Sequence, residues 1–490
     1  MYHSASSNKI SLQYKQHERD HLMKEPERLS QRAIILFLLA CASLFASEPG
    51  KSGTSRKGDE TVIITGGTLI DVRTGELLKD AVVVVQGNRI KEVGKPDEVR
   101  VPSEAKHIDA KGKWIIPGLT DMHVHITVPD APLWLYLANG VTTIRDAGGN
   151  VNILRLRRDN LDAGTLVGPR LFFAGMILDD KPVSAPTISL IVDTPERAEE
   201  VVAFLAGQGA SFIKVYNSLK EDQLKAVINA AHARGLPVAG HIPRLITMTR
   251  AVELGMDCLE HILVTGRDLL SSEEANKIEF LPVGKREALL WQRYDLNSEN
   301  LRSLVSLLAE RKVFLDPTLT IDEAVAVGDH TMTLRDPNNR FLSKALFDRL
   351  SIQPDAFKIP AELKEVAASS FIKREKFVKK LNDAGVRLLA GTDGPGLGTL
   401  VPGFGLHHEL KLLVESGLTP LQAIQTTTIN AASALRKDTE LGAVEPGKLA
   451  DLVILDANPL QDINNISRIQ LVMKDGRIYY PALLFPAKTN

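Results

Sequence analysis

The feature that most constrains this chain is an alternation through its middle. Short apolar runs that read as strands recur as DMHVHI at 121, VTTIRDAG at 141, RLFFAG at 170 and SFIKVY at 211. They continue as PVAGHI at 237, CLEHI at 258, VFLDPTLT at 313 and RLLAGTD at 387. Helical periodicity fills most of the intervals, at 196–208, 220–234, 299–311 and 361–384. Eight β/α units over roughly 300 residues predict an α/β fold, a (β/α)8 TIM barrel. Two longer spacers, 265–297 and 320–360, are expected to form lids over the top face.

The flanks have another texture. TVIITGGTLIDV and AVVVVQGNRIKEVG are β-branched runs broken by Gly and Asn, the pattern of strands and turns. The end returns to it with ADLVILD and IQLVMKDGRIYY. Both chain ends are therefore expected to build one small β-sandwich domain, from 61–115 and 436–490, around a barrel at 116–435. Residues 47–60 read as a linker.

Residues 33–46, AIILFLLACASLFA, form an uncharged apolar run. It is too short for a membrane helix and suits a signal-peptide core. Residues 1–46 are thus expected to be a signal region, with Met23 an alternative start, and the mature chain to be exported to the periplasm or secreted. LLAC ending at Cys41 offers the alternative of a lipoprotein, anchored to a membrane at that cysteine. Two cysteines, Cys41 and Cys258, cannot make a disulfide framework or a thiolate metal cluster. A net charge of −1 without a basic tract gives nucleic-acid binding no support.

Active sites of such barrels form where the strands end. His123 and His125 are spaced i, i+2, so on a strand both face one side, here the interior. A lone pair of that kind is as often a pair of satisfied polar residues. His241 and His261 at two further strand ends, and Asp393 in GTDGPG, turn it toward a metal site. Lys214 sits in the middle of a buried strand. One reading pairs it with a carboxylate. The other makes it a neutral amine that adds carbon dioxide, becoming a carbamate that bridges two cations. Tyr216, two residues on, shares its face and is expected either to bond substrate or to pack. Arg244 is the best-placed cation for an anionic substrate end, and His407 is a candidate at the pocket edge.

GLTDMHVH, GVTTIRDAGG, GPRLFFAG, FIKVY, AGHIP, LEHI and GTDGPG, with the ending GAVEPGKLADLVILDANP, resemble the amidohydrolase superfamily in its binuclear form. Within it the chain is similar to the imidazolonepropionase-like and prolidase-like group. The resemblance implies that His123, His125 and Asp393 hold the more buried metal, and His241 and His261 the more exposed one. It implies two divalent ions, zinc by preference, bridged by N6-carboxylated Lys214. Many relatives have Gly-Gly-His after strand 3; here the text is AGMILDDKPVSAP, so no histidine fills that role.

The expected enzyme cleaves a C–N bond of a small molecule, a dipeptide or N-acyl amino acid, by a metal-bridging hydroxide, with Asp393 shuttling the proton. Alternatives are hydrolysis of a cyclic amide, imidazolone-like ring or lactone, and, from another class, an inactive barrel that only binds. Homo-oligomerisation is left open by the text.

Overall fold

The computed structural model describes residues 60–100, 104–127, 131–262, 267–327, 331–352, 355–396 and 398–485. The signal-region reading, Met23, Cys41 and nearly all of the 47–60 linker lie outside the described residues. No helix among the described residues is long and apolar enough to cross a membrane.

The β-branched flanks form strands because their side chains pack well on a pleated surface. These are β1 (Thr61–Ile70), β2 (Leu77–Gln86), β3 (Arg89–Gly94), β4 (Lys106–Asp109) and β5 (Trp114–Pro117). After the barrel come β16 (Leu452–Leu455), β17 (Ile469–Lys474) and β18 (Arg477–Tyr479). All eight belong to one hydrogen-bonded sheet, ordered β18-β17-β16-β5-β1-β2-β3, with β4 also on β1. Its two arms enclose one apolar core, in which Val62, Val83 and Ile90 from the first flank meet Ile454, Leu471 and Ile478 from the second. Turn chemistry sets the β17–β18 hairpin. Lys474 opposes Arg477, and Asp475 and Gly476 between them both have positive φ, 49° and 71°. That backbone matches the twist of the strands it joins.

The eight expected barrel strands are β6 (Leu119–Val124), β7 (Val141–Asp146), β8 (Arg170–Phe173), β11 (Ile213–Val215), β12 (Val238–Gly240), β13 (Cys258–Glu260), β14 (Phe314–Asp316) and β15 (Arg387–Leu388). They pair in parallel as β6-β7-β8 and β11-β12-β13-β14-β15. Hydrogen bonds bridge both seams. Ser211 N–H donates to Phe173 O at 2.8 Å, and Met122 N–H donates to Ala390 O at 2.9 Å. A strand pair absent from the sequence reading, β9 (Ile177–Asp179) and β10 (Ser189–Ile191), follows β8, and β9 pairs with β11.

Several intervening helices follow from a start signal and an apolar stripe. In Pro195–Gly207, Thr194 accepts a hydrogen bond from Arg197 N–H, and Pro195 supplies a preset φ. Ala198, Val201, Val202 and Leu205 then fall on one buried face. Fully burying a Val or Leu contributes about 1.5–3 kcal/mol, so Val202→Asp would break this helix's seat.

Inside the barrel, Met122, Phe212, Ala239, Cys258, Phe314 and Leu389 belong to one apolar cluster that fills the lower half. Above it the chain runs tightly packed. A Cβ on Gly391 would lie 2.3 Å from Asp316 Oδ2 and 2.5 Å from His123 Cβ. Gly391→Ala is therefore expected to cost ~1–3 kcal/mol by overpacking. Urea unfolding should show the loss, and an unchanged midpoint would contradict this account of the packing.

Candidate metal centre at the barrel mouth

At the C-terminal ends of the strands the structure brings together every sequence-predicted metal-site residue. His123 lies on β6 and His125 just beyond it; Lys214 lies on β11; His241, His261 and Asp393 follow β12, β13 and β15. His125 Nε2 is 3.0 Å from Asp393 Oδ1, and His123 Nε2 is 3.5 Å from both Asp393 Oδ1 and Lys214 Nζ. Ligand atoms of His123, His261 and Asp393 lie within 4.8 Å of one another. Ring centroids of His241 and His261 are 4.7 Å apart.

The tautomers follow from the outer partners. His125 Nδ1 is 2.8 Å from Gly148 O, and a carbonyl can only accept, so Nδ1 carries the proton. His123 Nδ1 donates to the Glu260 carboxylate at 2.8 Å. His241 Nδ1 donates to Asn217 Oδ1 at 3.0 Å. Thr318 gives its own hydroxyl proton to Pro317 O at 2.8 Å, so its oxygen accepts from His261 Nδ1 at 2.6 Å. All four rings thus hold a proton on Nδ1; His123, His241 and His261 keep the Nε2 lone pair for the centre, and on His125 Nε2 faces Asp393 and is freed when a cation replaces the proton between them. This is the arrangement of metal-ligating histidines.

Electrostatics agree. Burial pushes His123 down to about 3 and His261 to about 4, and pushes His241 well below its ordinary value. These imidazoles are neutral at pH 7, as ligands must be. Burial also lowers Lys214, whose side chain is enclosed. Burial would raise Asp393, but the neighbouring imidazoles outweigh it and hold the carboxylate below its ordinary value; the same contact, His125 Nε2 to Asp393 Oδ1, raises His125 although its burial works the other way.

Glu260, Arg145, Asn217 and Thr318 were not found by sequence reasoning. Arg145 Nη2 donates to Glu260 Oε1 at 2.6 Å, and its Nε donates to Met122 O at 2.6 Å. That guanidinium outweighs burial and keeps Glu260 ionised. A charged residue inside a strand needs a partner; Arg145 in VTTIRDAG carried that signal. Strand alternation, by contrast, places Glu260 on the opposite face from His261. The backbone at His261 is left-handed, φ 67°, which ends the alternation and lets both side chains serve the interior.

These groups floor a cavity of about 280 Å3. Ile177, Ile188 and Phe357 give it apolar wall, and Tyr216 and Arg244 line it as expected. The Tyr216 ring packs on His241, with centroids 4.1 Å apart. Both long spacers contribute, the first through Val283, Arg286 and Glu287, the second through Ile321, Asp322 and Val325. His407 does not edge this cavity, a correction to the expectation. It sits on the helix Phe404–Glu415, half-buried, with Nε2 2.9 Å from Asn139 O.

Burial pushes His407 down to about 4. Its unfolded imidazole gains a proton below about 6.5, while the folded one does not until about 4. The folded state therefore loses stability as pH falls through that window. Relative to His407→Gln, the loss is expected to reach up to ~3 kcal/mol. Urea midpoints of both proteins across pH 7–4 check this, and parallel curves would contradict it.

The chain is similar to several known proteins. The chain is 23% identical to adenine deaminase 1 of Latilactobacillus sakei over 87% of its own length and 59% of that protein's. An adenine deaminase of Clostridium botulinum is 42% identical over 81 residues, 16% of this chain and 13% of that one. The chain therefore covers less than two thirds of these relatives. It is also 24% identical to a 5-methylthioadenosine/S-adenosylhomocysteine deaminase of Caldanaerobacter subterraneus, over 81% of this chain and 85% of that protein. Among solved structures, a Xaa-Pro dipeptidase with bound methionine superposes with TM-score 0.63 and 24% identity, covering 86% of this chain and 100% of that one. Bottromycin amidohydrolase superposes with TM-score 0.69 and 22% identity, over 88% of this chain and 89% of that one. Residues 114–479 match the amidohydrolase family, and the chain belongs to it.

Proposed function

We propose that this chain is a binuclear metal-dependent hydrolase that cleaves the C–N bond of a dipeptide or an N-acyl amino acid. The observation that carries the reading is the set of four imidazoles anchored through Nδ1, whose Nε2 atoms remain for the centre beside Lys214 and Asp393. That donor set fits divalent cations of the zinc type. His123, His125 and Asp393 would hold one, and His241 and His261 the other. Carboxylated Lys214 would join them: the neutral amine Nζ bonds the carbon of carbon dioxide and releases one proton, leaving an anionic carbamate. Bound cations of this kind supply acidified water and a polarised carbonyl.

The protein's own groups do the rest. Asp393, ionised and at hydrogen-bond distance from His125, is placed to take the proton of the attacking water. It then delivers it to the leaving nitrogen, which is a poor leaving group as an anion. Tyr216 presents a hydroxyl to the cavity that burial holds protonated, and so able to donate. Arg244 lines the same space, and its buried Nε has no partner among the described residues. A substrate carboxylate would satisfy it. That unmet donor favours an amino-acid-like end over an uncharged ring substrate. The apolar wall would exclude bulk water around the scissile bond.

Zinc-loaded protein should hydrolyse dipeptides or N-acyl amino acids in preference to adenine, cyclic amides and lactones in a common screen. Turnover of adenine alone would contradict the proposal. Lys214→Ala is expected to lose at least ~100-fold in kcat/KM, the scale of losing one electrostatic element of the site. Arg244→Leu should cost ~10–100-fold on a substrate with a free carboxylate and little on its carboxamide, as befits a lost charge-assisted hydrogen bond. Equal losses on both substrates would remove Arg244 from substrate recognition.

A further inference from the structure

At the other end of the barrel, where the strands begin, a second cavity of about 330 Å3 opens. Phe212, Pro237, Asp257, Val313 and Arg387 line it from the starts of β11 to β15, and Ser433–Arg436 close it. It shares no lining residue with the cavity at the metal centre. Besides Arg145, which is paired with Glu260, four cations line it: Arg311, Lys312, Arg387 and Arg436. Among the described residues, no carboxylate forms an ion pair with Arg311, Lys312 or Arg387. Asp257, in the lining, is already engaged. It accepts from Val238 N–H at 2.7 Å, meets His232 Nε2 at 2.8 Å, and lies 3.7 Å from Arg436 Nη2.

Two of the cations are fixed in place. Arg387 lies over the Phe314 ring, Cζ 3.8 Å from its centroid, and donates Nη2 to Lys312 O. Its Nη1 reaches Ser433 Oγ at 3.5 Å, while its buried Nε has no partner among the described residues. Burial lowers its guanidinium from the ordinary value, and no neighbouring carboxylate opposes that shift. Arg436 donates Nη1 to Gly235 O at 2.7 Å. Planar guanidiniums held by backbone carbonyls lose little freedom when an oxyanion arrives. Several cations around one partly enclosed space repel each other, so as pure scaffold the arrangement is unfavourable. The rim is cationic, and Phe212, Met256 and Phe314 offer apolar surface below it.

We propose that this cavity on the barrel floor binds a small phosphate-bearing molecule, at an anion site separate from the metal centre. The phosphate would sit between Arg387 and Arg436, and the organic part against the apolar lining that Val252, Met256 and Val313 share with the phenylalanines. The volume is at the small end of ligand pockets, which suits a phosphomonoester rather than a polymer.

Calorimetric titration of the full-length, metal-loaded protein at constant ionic strength tests this. Phenyl phosphate should bind saturably with one site per chain, and more tightly than inorganic phosphate, which lacks the apolar part. Arg387→Gln combined with Arg436→Gln should weaken binding at least tenfold. Lys214→Ala should leave it unchanged, which separates the floor from phosphate captured by the metals. Should the double variant fail to fold, the exposed pair Arg311→Gln and Lys312→Gln should weaken binding about threefold, by loss of long-range attraction. Absence of saturable binding to the wild type, or binding lost in Lys214→Ala and kept in the floor variants, would overturn the proposal.

Discussion

The site rests on where four protons sit. A neutral imidazole offers one lone pair, and a hydrogen bond at one nitrogen decides which. Here Glu260, Gly148 O, Asn217 and Thr318 each take the Nδ1 proton of one histidine. The partners differ in kind, being a carboxylate, a backbone carbonyl, an amide oxygen and a hydroxyl, but the outcome is the same. Removing any one would free a ring to turn and would leave a buried donor unpaired, at about 1–3 kcal/mol. The Glu260 bond depends in turn on Arg145, because an unpaired carboxylate at that depth would be far too costly.

Strain and close packing serve the same end. Three non-glycine residues with positive φ, His261, Thr318 and Asp393, gather at the mouth of the barrel. Each aims a functional side chain where an extended strand would not, and such conformations persist when the surrounding structure over-determines them. Gly240 has φ 151°, and a Cβ there would stand 2.1 Å from Val215 O, so only glycine lets β12 run this close to the strand that carries Lys214. Beneath, the apolar cluster of Met122, Phe212 and Phe314 keeps the lower barrel filled. Upper and lower cavities are thereby kept apart, with Arg145 between them: it bonds Glu260 on one side and lines the lower cavity on the other.

Much of this was legible in the text because it follows short-range rules. The eight barrel strands and most of the helices between them follow from apolar periodicity. His123 and His125 share a face because a strand has a period of two. Lys214 announced itself because an ammonium inside an apolar strand has to be explained. The outer partners were less legible for a definite reason. Asn217 and Thr318 lie just past strand ends, where no periodicity governs direction, and the bonds they make span 24 and 57 residues. Glu260 was hidden by alternation that the left-handed turn at His261 breaks. His407 was misplaced because adjacency to the GTDGPG loop in sequence carries no information on which way the following helix turns; that helix sets it, half-buried, against Asn139. The strands β9 and β10 sit in a segment whose Lys, Pro and Ser content reads as loop.

The most direct test is anomalous diffraction from crystals of the zinc-loaded protein. The account predicts two zinc peaks at the barrel mouth, about 3.5–4 Å apart, each imidazole bound through Nε2, and added density on Lys214 Nζ that touches both. A single peak, ligation through any Nδ1, or a bare amine at Lys214 would contradict it.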